Sequence, residues 1–162
     1  MNCNCEFLVA DATELPFDAH QFDVVILSEV LEHVIDQKRC IQEIYRVLKP
    51  NGYLMLTTPN SGGFHRNMIK LVHKLLRKPY RPSSQIIDNP LSPTELKRIL
   101  SPYFTIEKKR GILYTLPYLE VIGSQRLINL SKRISEFIEK RNLLSNFGLY
   151  QCLLCRSRKS VD

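Results

Sequence analysis

The chain has 162 residues, 44% hydrophobic and 24% charged, a balance that suits one folded domain with its own core and argues against a disordered polymer. Its 23 Lys and Arg against 16 Asp and Glu give a formal charge of +7, which favours anionic partners such as phosphate groups, nucleic acid or anionic lipid without choosing among them. The N-terminus MNCNCEF lacks the basic start and apolar run of a secretory signal, and no run is long enough to cross a bilayer, so a cytoplasmic protein is expected.

Taken in chain order, EFLVA at residues 6–10 is a short apolar run, predicted as a strand that ends at Asp11 and enters the loop ATELPFDAHQ. FDVVILS at 22–28 is almost continuously apolar and β-branched, the pattern of a strand buried on both faces of a parallel sheet. A helix follows, capped by Asp36, with Cys40, Ile41, Ile44, Val47 and Leu48 as its apolar stripe. LKPNG turns the chain, and YLMLTTP at 53–59 is a second buried strand, giving a parallel strand, helix, strand unit with a right-handed crossover expected. Residues 64–78 read as a helix with Phe64, Met68, Leu71, Val72 and Leu75 on one side and a basic opposite side. After the loop KPYRPSSQIIDNPL, SPTELKRIL places Ser92, Pro93 and Glu95 at the cap, first and third positions of another helix. FTIEKKRG reads as an edge strand. RLINLSKRISEFIEKR reads as a basic amphipathic helix on Leu127, Leu130, Ile134 and Phe137, and GLYQCLLCRSR as a last strand. The whole is α/β with an open, mostly parallel sheet.

Five cysteines invite two readings. In a chain without a secretory signal they are reduced thiols before they are a disulfide framework. Cys152 and Cys155 lie three apart in a strand and so point to opposite faces, and with Cys3 and Cys5 they form no ordered zinc spacing; no metal site is expected. The basic excess gathers in HRNMIKLVHKLLRKPYR, residues 65–81, and in the tail from Lys108 onward; a solvated positive face is the simplest reading of each.

Ligands of open α/β sheets sit beyond the carboxyl ends of the strands. The residues there are Asp11 and Ala12, Ser28 and Glu29, and Thr58, Pro59 and Asn60. An aspartate just past a strand can serve a turn, or it can accept from an exocyclic amine while the next backbone N–H donates to a ring nitrogen, which is how an adenine edge is held.

DATELPF, FDVVILSEVLEHV, EIYRVLKPNGYLMLTTPN and SPTELKRIL, in this order and spacing, resemble the class I S-adenosylmethionine-dependent methyltransferases, the group that includes quinone and other small-molecule methyltransferases. The resemblance covers residues 6–110 well and the tail loosely. It implies a Rossmann-like seven-stranded sheet with an antiparallel last strand, and S-adenosyl-L-methionine as cofactor at the carboxyl edge. Carried over by position, Asp11 would contact the adenine amine, Ala12 the adenine ring through its backbone, and Ser28 the methionine portion or the neighbouring ribose. Glu29 and His33 would lie near the site of methyl transfer.

The departures are as specific. A glycine-rich loop after the family's first strand and an acidic residue after its second have no counterpart, since the first glycine is Gly52 and no Gly-x-Gly occurs. By resemblance EFLVA would be the third strand, so the expectation is one incomplete domain over residues 1–162, N-terminally truncated, with about 111–145 an inserted helical region before the last strand. The two absent strands would lie between EFLVA and FDVVILS. Residues 1–10 are then expected either to pair directly with the next strand or to hang loosely, and an exposed strand edge favours self-association.

A sulfonium methyl is already activated, so alignment in a dry pocket is the main task, and a small-molecule hydroxyl acceptor would be helped by a base. His33, five residues past Ser28, is the candidate base, against the alternative of a helix histidine bonded to a nearby carboxylate or carbonyl; Glu32 reads as a solvated helix residue. Tyr114 and Tyr118 in GILYTLPYLE could line an acceptor pocket or pack in the core. Two further classes stay open. One is a non-catalytic remnant or subunit whose missing half another chain supplies. The other is a peripheral module laying the basic helices on anionic lipid or nucleic acid. Nucleic acid is disfavoured by the absence of zinc-finger spacing and of an aromatic-rich ribonucleoprotein strand, and binding of the cofactor by this chain alone is expected to be weak.

Overall fold

The computed structural model describes residues 5–63, 71, 74, 89–112, 125–141 and 144–160. The run FDVVILS forms strand β1 (Phe22–Ser28), and the chain then passes through a single 3-10 turn at Leu31–His33. Helix α1 (Gln37–Val47) begins where the Asp36 carboxylate accepts the Arg39 N–H at 2.9 Å, satisfying one of the amides a helix start leaves without a partner. Its stripe of Cys40, Ile41, Ile44 and Val47, continued by Leu48, is fully buried, as the 3.6-residue period requires. Strand β2 (Leu48–Pro59) starts earlier than the sequence pattern indicates, taking in LKPNG and carrying Asn51 at a φ of 60°. Helix α2 (Pro93–Leu100) opens with a complete capping box, Ser92 accepting from the Glu95 N–H while Glu95 accepts from Ser92. Strand β3 (Phe104–Ile112), helix α3 (Gln125–Arg141) and strand β4 (Tyr150–Ser157) complete the described elements.

The sheet order is β1-β2-β4-β3. β1 and β2 are parallel, as their helical crossover demands, and β4 runs antiparallel to both β2 and β3, so the last strand is antiparallel and the described sheet is mixed. Leu54 and Leu56 on β2 share a face with Leu153 and Cys155 on β4, and this face packs on Ile41, Ile44, Leu96 and Phe104 as one buried core. Each leucine removed from water in this way contributes about 2 kcal/mol. Thiols Cys40 and Cys155 belong to this core, Cys152 is half-buried and Cys5 is exposed. Among the described residues no three metal-ligating side chains gather, and no helix is long and apolar enough to cross a membrane.

Two expectations need correction. EFLVA is not a strand: residues 5–10 carry no regular structure and are exposed, Phe7 at 94% and Val9 at 106%. An apolar run becomes a strand only where a neighbour takes up its N–H and C=O groups, and none of the described strands lies beside it. β1 is likewise not buried on both faces. Val25 and Leu27 turn toward the core, while Val24 is 53% and Ile26 65% exposed, because β1 pairs with β2 on one side only and no described helix covers its second face. The predicted helix at 64–78 falls outside the described residues except for Leu71 and Lys74, which are helical. Tyr114 and Tyr118 lie outside the described residues, as do Cys3 and the side chain of Leu127.

Candidate functional site

The loop from Asp11 to Gln21 has no regular structure; Ala12 and Leu15 pack it on the core, Phe17 meets Phe22 edge-on, and hydrogen bonds at both ends fix its shape. Asp11 closes it at one end: its Oδ1 accepts both the backbone N–H and the hydroxyl of Thr13, each at 2.7 Å, and Glu14 N–H returns to the Asp11 carbonyl. These two bonds from Thr13 hold the Asp11 carboxyl below the ordinary carboxylate value. The other end is fastened by α1. Arg46 donates to the carbonyls of Leu15 and Phe17 at 2.9 and 2.8 Å, Glu43 accepts the Leu15 N–H at 3.1 Å, and Arg39 reaches the Thr13 carbonyl at 3.3 Å. Glu43 and Arg46 also pair at 2.9 Å, and the hydrogen bonds from Arg46 draw the Glu43 carboxyl down despite its burial. Arg39, Glu43 and Arg46 stand four and three residues apart on one helix face, a spacing visible in the sequence though their role as loop anchors was not.

Opposite this loop, the short turn after β1 presents His33. Glu32 beside it is 2% exposed and not solvated: its Oε2 accepts the Thr58 hydroxyl at 3.0 Å, and its Oε1 lies 3.7 Å from His33 Nε2. The alternative of a histidine beside a carboxylate is therefore met in part, with His33 still exposed to solvent. The turn is tied to the segment before α2 by Asn89 N–H donating to the Glu32 carbonyl at 3.0 Å. Gln37 bridges the Leu31 and Asn89 carbonyls.

Ala10, Asp11, Ala12 and Thr13 on one side and His33, Val34, Ile35 and Asp36 on the other enclose an open cleft of about 630 Å³ at the carboxyl end of β1. Asp11, Ala12 and His33 thus come together. Ser28 and Glu29 do not line this cleft. Ser28 Oγ shares a hydrogen bond of 2.9 Å with Thr57 Oγ1, and Glu29, held at a φ of 53°, donates its N–H to the Thr57 carbonyl. Partial burial raises the Glu29 carboxyl above its usual value, opposed by a hydrogen bond with Thr57. At the end of β2 and just past it, Thr58 and Asn60 are spent on the fold. Asn60 donates to the Asn146 and Gly148 carbonyls and accepts from Gly62 N–H, and Gln151, wholly buried opposite Thr58, keeps an Oε1 with no partner.

A nucleoside-bearing cofactor fits one end of this arrangement. The turn at Asp11 to Thr13 offers a carboxylate and closely spaced backbone at the cleft, which suits an adenine edge. Among the described residues nothing supplies the aminoacyl end: none of the cleft's lining residues is a glycine, and Gly63 and Gly148 are instead consumed where backbones nearly touch, an added Cβ on Gly148 falling 2.6 Å from Ile112 N.

Residues 1–56 match the family model described as a methyltransferase domain. The chain is 45% identical over 51 residues to a demethylmenaquinone methyltransferase of Clavibacter sepedonicus, an alignment covering 32% of this chain and 21% of that protein. It is 47% identical over 58 residues to the mitochondrial ubiquinone biosynthesis O-methyltransferase of Bos taurus, covering 36% and 14%. These matches span about a fifth or less of each curated relative. Among solved structures, a possible histamine N-methyltransferase from Thermotoga maritima superposes with a TM-score of 0.61 at 17% identity, over 94% of this chain and 63% of that one. A putative methyltransferase of Bacillus halodurans gives 0.60 at 14% identity, over 96% and 78%. At such identities the likeness speaks to the fold.

Proposed function

From its membership of the class I S-adenosylmethionine-dependent methyltransferases, whose Rossmann-like fold it carries incompletely, we propose that this chain holds the adenine and acceptor sides of a site for methyl transfer to a small molecule. The observation that supports this reading is the placement of the Asp11 to Thr13 turn across one cleft from His33. In that role the Asp11 carboxylate accepts from the adenine amine, and Ala12, packed against the core, fixes the backbone that meets the ring. His33 takes the proton of an acceptor hydroxyl, with Glu32 behind it anchored through Thr58. S-adenosylmethionine supplies the methyl group when bound.

Among the described residues the cleft has partners for the adenine end and none for the aminoacyl end, so the chain by itself binds the cofactor weakly. A cofactor held at about 1 μM carries about 8 kcal/mol, and keeping half of that leaves about 4 kcal/mol, or about 1 mM. Calorimetric titration of the purified chain with S-adenosylmethionine tests this. Binding near 1 mM that vanishes in Asp11→Ala and survives in Asp18→Ala, an exposed loop position, supports the reading; micromolar affinity overturns the half-site argument. A non-catalytic subunit is the second reading, favoured by the edge of β1 that no described strand covers and by the lack of glycine among the cleft's described residues, and predicts no binding at any accessible concentration.

A further inference from the structure

Helix α3 leaves a large apolar stripe exposed. Its inward side carries Ser131 and Ser135, at 9% and 6% exposure, flanked by half-buried Ile128 and Ile138, whereas Leu130, Ile134 and Phe137, spaced four and three residues apart along one face, are 54%, 49% and 51% exposed. Beyond its end, Leu144 and Phe147 are further exposed apolar residues, at 43% and 50%. Arg126, Arg133 and Lys140 recur every seven residues beside that stripe, and the Arg141 guanidinium lies 4.2 Å over the Phe137 ring. The helix carries five cations against two carboxylates, Glu136 and Glu139, so its net charge is +3 and its field is positive.

We propose that α3 docks the protein onto an anionic lipid surface, with Leu130, Ile134 and Phe137 entering the headgroup boundary and the flanking arginines meeting the headgroups. Three features favour this occupant. An apolar stripe edged by Arg and Lys is the form that lies in a membrane interface. The helix is neither long nor apolar enough to span a bilayer, which fits surface binding. A second copy of the chain packed through the same face would set its cations against their own kind, a repulsion that an anionic surface turns into attraction. The inference does not depend on the cofactor reading, because it rests on a different element.

Co-sedimentation of the full chain with vesicles of phosphatidylcholine, alone or mixed with phosphatidylglycerol, tests it. Binding is expected only to the mixed vesicles and should fall at high salt. Each basic residue at such a surface is worth about fivefold in partitioning, so Arg126→Gln/Arg133→Gln should weaken binding about 25-fold. Ile134→Ser/Phe137→Ser should weaken it at least about tenfold. All four positions are on the exposed side, and circular dichroism checks that both variants keep the fold. Failure to bind mixed vesicles, equal binding to neutral ones, or unaltered binding by either variant overturns the proposal. So does a stable dimer in solution that Ile134→Ser/Phe137→Ser dissolves, which would assign the face to a second copy.

Discussion

Replacing Thr58 by valine removes one hydroxyl and almost no volume, at a position 1% exposed whose hydroxyl donates to a Glu32 carboxylate that is itself 2% exposed. Water cannot take over the lost bond, so the carboxylate is left under-satisfied in a dry site. Hydrogen bonds to charged groups contribute about 1.5–3 kcal/mol, which puts the expected loss near 2 kcal/mol. For a domain of this size that corresponds to a fall in Tm of about 4–8 °C. Thr58→Ser separates the two parts of the side chain: it keeps the hydroxyl and loses a methyl, costing about 1 kcal/mol. Urea unfolding of parent, Thr58→Val and Thr58→Ser, read at constant m, gives the comparison. Because Glu32 backs His33 at 3.7 Å, the His33 ring resonances should also move in Thr58→Val and not in Thr58→Ser. If the valine variant proves as stable as the serine one, Glu32 is satisfied by other means and the Thr58 link carries no weight.

The remaining expectations concern the helix cap and the thiols. Ser92→Ala should cost about 1 kcal/mol at neutral pH. Ser92 holds the Glu95 carboxyl below its ordinary 4.5, so the stability this adds is present above pH 4.5 and is lost as pH falls through the lower folded value. Urea midpoints should therefore show the gap between parent and Ser92→Ala narrowing at pH 3, and an unchanged gap would count against the capping box. Burial pushes the Cys40 thiol up to about 11 and Cys155 to about 12, so both stay protonated at pH 8 while exposed Cys5 is open to reagent. Disulfide-exchange labelling followed by peptide mass spectrometry should find Cys5 modified well before the other two; early labelling of Cys155 would show that the core face of β4 opens in the native state.

What the sequence disclosed depended on how far the deciding contacts lie along the chain. The Asp36 cap, the α1 stripe and the Ser92 capping box are decided within a few residues, and all were legible. The reading of EFLVA failed because a strand is a property of a pair, and its apolar residues say nothing of whether a neighbour is present. β1 has the composition of a doubly buried strand, yet its second face depends on what the rest of the chain lays over it. Glu32 was misread for a related reason. Its hydrogen-bond partner Thr58 is 26 residues away, and only the return of β2 beside β1 brings the two together. At the candidate site Asp11 and Ala12 were singled out as residues past a strand that does not form, so their place beside His33 owes nothing to that strand, and the anchoring of their loop by Arg39, Glu43 and Arg46 required the helix to be seen against it.

The position of β4 bears on how the protein is made. It is the last of the described strands in chain order, yet it lies between β2 and β3 and supplies the partner of both, pairing Leu54 with Cys155 about 100 residues further on. Contacts so distant in sequence slow folding, since the loop must close before any pairing energy is gained. At synthesis rates of about 5–20 residues per second, β2 waits on the order of 5–20 s with that edge unpaired. During that interval the nascent chain is most open to pairing with a strand that is not its own, and a holding chaperone would have its clearest opportunity then.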